Sequence, residues 1–194
     1  MRRSTTLRLL AAATCALLSA CATQDVAVAP SAFYLSSPKL PDNAMLQKKH
    51  GGNLKANPNC LGENVSPPLQ WINAPAKTRS FVLLMDDQAG RGGLGVSHLV
   101  AYGIPADVTS LAEGELGALA TERRFAPGKN TVGTAYLGPC PPRGNAPQHY
   151  VFTLIATDLE PGALASGLTK DEVLKALQGG RALRAASLVF RYAH

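Results

Sequence analysis

The sequence predicts a mainly β domain, and three observations carry the prediction. Short apolar runs rich in β-branched and aromatic residues recur along the chain. Each run is bounded by a cluster of Gly, Pro, Asn or Asp, the residues that turn a chain between strands. Only one stretch combines helical spacing with helix caps, so helix is expected to decorate a sheet rather than build the core.

An export segment precedes the domain. Arg2, Arg3 and Arg8 stand before or at the start of an apolar run from Leu9 to Leu18, which closes in the lipobox Leu18, Ser19, Ala20, Cys21. A charged start, a short apolar stretch and small residues before the cut describe a secretory signal, too short to span a bilayer. Residues 1–20 are expected to be removed and Cys21 to carry a lipid; a plain signal peptide with a chance cysteine is the alternative. Ser4, Thr5 and Thr6 do not continue a twin-arginine pattern, so the general export route is expected. Residues 21–31 read as a small and polar tether, and residues 32–194 as one domain. Ala22 behind the cysteine tilts sorting toward the outer membrane, where the lipid at Cys21 would hold the protein at the periplasmic face.

Charge excludes one class of partner. The 194 residues carry a formal charge of +6, but the signal holds three of the nineteen basic residues and no acidic one, which leaves sixteen against thirteen, about +3. No Lys/Arg block occurs and aromatics do not interleave with basic residues, so nucleic acid is not an expected partner. With Cys15 removed in the signal and Cys21 lipidated, Cys60 and Cys140 are the remaining thiols. Two thiols in an oxidising compartment point to one disulfide, with free or metal-binding thiols as the alternative.

Ser80–Met85, Leu99–Ile104, Tyr150–Ala156 and Ser187–Tyr192 are the clearest strands. The helix begins at Thr169, whose spacing to Glu172 makes a capping box; Val173, Leu174 and Leu177 share a face, and Gly179 or Gly180 ends it. Residues 111–136 have little periodicity and form a connection long enough to suggest a functional loop.

Three stretches carry chemistry. Glu63 to Trp71 reads ENVSPPLQW, a proline-stiffened loop before a strand. Asp86 and Asp87 end one strand and His98 opens the next, so a hairpin-like return can set a carboxylate beside an imidazole and favour its charged form. Gly138, Pro139, Cys140, Pro141, Pro142, Arg143 and Gly144 form a wall-like loop, and Gln148, His149 and Tyr150 open a strand after it. Taken singly, each has a structural reading: an Asp–His contact can serve packing, proline-rich turns turn the chain, and Trp71 suits a core.

The order of these stretches resembles the phosphatidylethanolamine-binding protein family, in particular its bacterial Raf-kinase-inhibitor-like branch. The likeness runs over nearly all of residues 32–192 and rests on Ser36, Ser37 and Pro38, on Cys60, Gly62 and ENVSPPLQW, on Ala106 to Leu111, on the Gly-Pro-Cys-Pro-Pro loop and on the closing strand to Tyr192. The resemblance implies a Greek-key β-sandwich of antiparallel sheets with one or two short peripheral helices and a small anion pocket at one end. It places the pocket aspartate on Asp86, the histidine on His98, the wall on Gly138, Pro139, Pro141 and Pro142, and the strand tyrosine on Tyr150. Alternation on that strand puts Gln148 with Tyr150 and turns His149 away. Family residues are replaced at Gln88, Gly90, Val96, Gln148 and Arg181.

The leading functional expectation is a non-catalytic ligand-binding module for a small anionic or phosphorylated ligand, with no cofactor and no metal. His98, Gln148 and Tyr150 would donate, backbone N–H groups near Gly138 would assist, and Asp86 would hold His98 as an imidazolium or an oriented donor, or meet an ammonium on a zwitterionic head group. Two alternatives stand beside it: a protein-interaction module inhibiting a protease or other enzyme through exposed loops, and a hydrolase using Cys140, His98 and Asp86 as nucleophile, base and orienter.

Overall fold

The computed structural model describes residues 31–117 and 124–194; the signal, Cys21 and most of the tether lie outside them. Among the described residues, nine strands form two sheets. The smaller joins β1 (Tyr34–Ser36), β3 (Leu69–Ile72) and β6 (Ser110–Leu111) in the order β1-β3-β6. The larger contains β2 (Ala44–Met45), β4 (Ser80–Asp87), β5 (Val96–Pro105), β7 (Ala126–Pro127), β8 (Gln148–Thr157) and β9 (Ala182–Tyr192), in the order β2-β9-β8-β4-β5-β7. Long antiparallel pairings of β4 with β5 and β8, and of β8 with β9, form its centre. The sandwich departs from an all-antiparallel one at a single edge, where β2 pairs parallel to β9 through two residues.

Period-2 alternation explains the layers. Phe81, Leu83 and Met85 of β4 share a core with Leu35 of β1, Trp71 of β3 and Leu111 of β6, so this face packs on the small sheet. Val82 and Leu84 face the other way, onto a second cluster with Val173 and Leu177. Both faces of β4 are therefore covered, which is why its sequence reads as a continuous apolar run.

The second cluster is closed by α2 (Lys170–Ala176), which follows a single irregular turn, α1 (Gly90–Gly93). At its start the Glu172 N–H donates to the Thr169 hydroxyl at 3.3 Å and the Thr169 N–H to the Glu172 carboxylate at 2.8 Å, a reciprocal cap.

Candidate functional site

A cavity of about 290 Å³ opens where β4 ends and where β5 and β8 begin. Its floor holds Asp87, His98, Gln148 and Tyr150. The size suits a head group or small metabolite rather than a drug-sized molecule.

A β-bulge delivers His98 to this floor. Met85 pairs with Leu99 and Asp86 with Ser97, so His98 is the extra residue on β5. Strict alternation from Val100 and Tyr102 would aim His98 at the helix side of the sheet; the bulge turns it to the cavity instead. There Nδ1–H donates to the Leu137 carbonyl at 2.7 Å, while the Leu137 N–H donates to the His98 carbonyl at 3.0 Å. That pairing fixes the tautomer and leaves Nε2 for the cavity. The Tyr150 ring stands edge-on to the imidazole, with centroids 5.2 Å apart.

Burial pushes the His98 pKa below its ordinary value, outweighing the upward pull of the Leu137 bond, Asp87 and then Asp86. Burial thus favours the uncharged imidazole, and of the two roles expected of His98 it favours the oriented ring over the standing imidazolium. Burial also raises Tyr150, helped by the charge of Asp87 and by Tyr192, so its hydroxyl keeps its proton. That hydroxyl donates to Gln148 Oε1 at 3.3 Å and leaves the Gln148 amide N–H groups for a ligand.

The carboxylate in the cavity belongs to Asp87, not Asp86. Asp87 is 2% exposed and accepts the Ala89 N–H at 2.9 Å. Asp86 shares the face of Val82 and Leu84, where its carboxylate lies 2.8 Å from Lys170 Nζ on α2. Strand alternation separates the two neighbours. The role expected of Asp86, meeting a ligand or orienting His98 by contact, is unavailable to it from that face.

The proline-rich loop splits its roles as well. Cys140 and Pro142 line the cavity, while Gly138, Pro139 and Pro141 are buried behind it. A Cβ on Gly138 would strike the backbone of residues 50–52, so only glycine fits this approach. The Gly138 N–H donates to Asn64 Oδ1 at 2.7 Å, which removes it as an anion donor. Asn64 in turn donates to the Tyr136 carbonyl at 2.8 Å, and this is how the ENVSPPLQW loop braces the wall. Trp71, at the end of that loop, is 2% exposed in the core.

Cys60 and Cys140 form a disulfide across a sequence separation of 80. The bond occupies the sulfur that the hydrolase reading required as nucleophile, and it overturns both that reading and the free-thiol alternative. His149 is exposed on the face of β8 opposite Tyr150.

Sequence reasoning missed Asp87 as the site carboxylate, although the series Phe81, Leu83, Met85, Asp87 marked its face. It also missed Arg91, the one basic residue between Asp87 and His98, which stands at the cavity on α1 in a left-handed backbone conformation with φ 54°. Leu54, Asn57, Asn59 and Thr131 complete the walls and carried no motif.

A model of the phosphatidylethanolamine-binding protein family matches residues 36–193. The chain belongs to the phosphatidylethanolamine-binding protein family. A family relative from Methanothermobacter thermautotrophicus, known only as a UPF0098 protein, is 38% identical over 133 residues, 66% of this chain and 83% of that one. LppC of Mycobacterium tuberculosis, named as a lipoprotein, is 39% identical over 108 residues, covering 54% of this chain and 51% of its own. Among solved structures, Escherichia coli YbcL, described as a member of the mammalian family, superposes with a TM-score of 0.73 at 27% identity, over 84% of this chain and 98% of YbcL. A homologue from Chlamydia trachomatis superposes with a TM-score of 0.70, also at 27% identity, over 84% and 99%. These two proteins thus share the framework of this chain.

Proposed function

We propose that this protein is a lipid-anchored envelope protein whose cavity captures, without chemistry, a small ligand bearing a phosphate or carboxylate group. The observation that best supports the reading is the placement of His98: a buried imidazole at the cavity with one nitrogen fixed by Leu137 and the other left for a ligand. An incoming anion stabilises the protonated ring, and Asp87 balances the new charge. The Gln148 amide, oriented by the Tyr150 hydroxyl, supplies a further donor, and Arg91 adds a fixed positive charge at the cavity. The LppC likeness and the lipobox support the anchor at Cys21, and Ala22 behind it supports the outer membrane's periplasmic face as the location.

Inorganic phosphate titrated by calorimetry at pH 5.5, 6.5 and 7.5 tests the proposal. Binding that takes up one proton at His98 strengthens as pH falls, by up to about tenfold per unit above the folded pKa. His98→Ala removes the binding and His149→Ala leaves it nearly intact. Phosphate binding unaffected by His98→Ala would overturn the reading.

A further inference from the structure

One wall of the cavity comes from a loop that leaves the sandwich at Gly52 and returns at Gly62. Its base is closed by backbone bonds: the Gly62 N–H donates to the Gly52 carbonyl and the Gly52 N–H to the Pro139 carbonyl, each at 2.8 Å. Inside the loop the Asn57 N–H donates to Leu54 at 2.9 Å, the Cys60 N–H to Asn57 at 3.0 Å, and the Asn59 N–H to Asn57 Oδ1 at 3.0 Å. Two ties hold it to the body: the Cys60–Cys140 disulfide and a 2.7 Å bond from His194 Nε2–H to the Asn59 carbonyl. Leu54, Asn57 and Asn59 are thereby held as an outer wall over the polar floor.

We infer that this disulfide-clamped flap sets the ligand class, admitting phosphate monoesters whose substituent carries hydroxyl groups in preference to those carrying an ammonium. The inference rests on the anion reading above, with the phosphate on the floor and its substituent toward the flap. What meets that substituent is neutral and hydrogen-bonding. The Asn57 amide N–H groups and the Asn59 side-chain amide have no protein partner among the described residues. The Thr131 hydroxyl accepts the Ser97 N–H at 3.1 Å and keeps its own proton to donate. Amides and hydroxyls pair well with a polyol, because each side offers both donors and acceptors.

Charge argues in the same direction. Among the described residues that line the cavity, Asp87 is the sole carboxylate, and it lies on the floor; Arg91 is the sole guanidinium or ammonium. An ammonium projecting outward from the phosphate would face Arg91 with no carboxylate to receive it. A glycerol or sugar substituent meets no such repulsion, and Leu54 and Val132 cover its carbon edges.

Calorimetry at pH 6 with glycerol 3-phosphate, phosphoethanolamine and inorganic phosphate tests the flap, using the disulfide-bonded protein and Asn57→Ala/Asn59→Ala. Two added hydrogen bonds predict glycerol 3-phosphate binding about fivefold or more tighter than phosphoethanolamine. The double variant, altered only on the loop, cuts that preference severalfold, to what the Arg91 charge alone sustains, and keeps inorganic phosphate affinity within about twofold, since it leaves the floor untouched. Equal or tighter binding of phosphoethanolamine, or a preference undiminished in the double variant, overturns the inference while the phosphate result still upholds the anion reading. No binding of inorganic phosphate to the unaltered protein overturns both.

Discussion

His98 is held neutral by burial, and its two nearest carboxylates pull against that burial unequally, Asp87 more than Asp86. Replacing each in turn reads the site's electrostatics without any ligand. Asp87→Asn is expected to lower the His98 titration midpoint, followed by NMR of the ring, and Asp86→Asn to lower it less. An equal response would mean that the sheet does not separate the two carboxylates. The same burial has a consequence for stability. His98 and His50 both have folded pKa values below the ordinary 6.5, each because burial disfavours the charged ring. Below that value the unfolded chain binds more protons than the folded one, so the stability contributed by the neutral rings is present above pH 6.5 and is lost as pH falls toward the folded pKa values. The urea midpoint of the ligand-free protein should therefore drop between pH 7 and 5.5, and drop less in His98→Gln. Saturating phosphate should offset part of the loss, because it binds the protonated site.

At the scale of elements, legibility followed the number of residues that carry a pattern. The runs beginning at Ser80, Leu99 and Tyr150 and the run ending at Tyr192 were readable because each alternates or fills a doubly covered strand, and the structure extends each by one or more residues as β4, β5, β8 and β9. The strands β1, β2, β3, β6 and β7 span two to four residues, too short for a period to declare itself, and their pairing is decided by the sandwich. Residues 111–136 read as one loop yet contain β7, whose two residues pair with Ala101 and Tyr102. The site was legible as a gathering of loops and strand ends but not in its register. A β-bulge at His98 and a one-residue choice between Asp86 and Asp87 decide which side chains meet; the bulge leaves no mark in the sequence, while the alternation Phe81, Leu83, Met85, Asp87 marks only the face of the carboxylate. The capping box was legible because its two residues act locally. Thr169→Ala removes the bond to the Glu172 N–H and should cost about 1 kcal/mol in urea unfolding. Phosphate affinity should hold, since α2 lies on the face of the sheet opposite the cavity.

At the scale of the whole molecule, the disulfide links compartment, stability and site. It joins the flap to the proline-rich wall, and it closes a loop across a sequence separation of 80 in a chain of 194 residues. Constraint of the unfolded chain by such a loop contributes about 4 kcal/mol in the entropy account, and for a chain of this length that corresponds to roughly 10 °C in the unfolding midpoint. Such a bond persists only where the surroundings are oxidising, which is where the signal reading sends the chain. Export, anchoring and disulfide formation should therefore move together in a controlled way. Cys21→Ala, exported but lacking a lipid, should pass from the membrane fraction to the soluble periplasm with the Cys60–Cys140 link still recovered by non-reducing peptide mapping and the midpoint unchanged. A chain begun at residue 22 and kept in the cytoplasm should instead yield two alkylatable thiols and a midpoint lower by roughly 10 °C, restored when the purified protein is oxidised. Membrane partitioning unchanged by Cys21→Ala would defeat the anchor, and a midpoint indifferent to reduction would defeat the stabilising role of the bond, so each half of the account stands or falls on its own measurement.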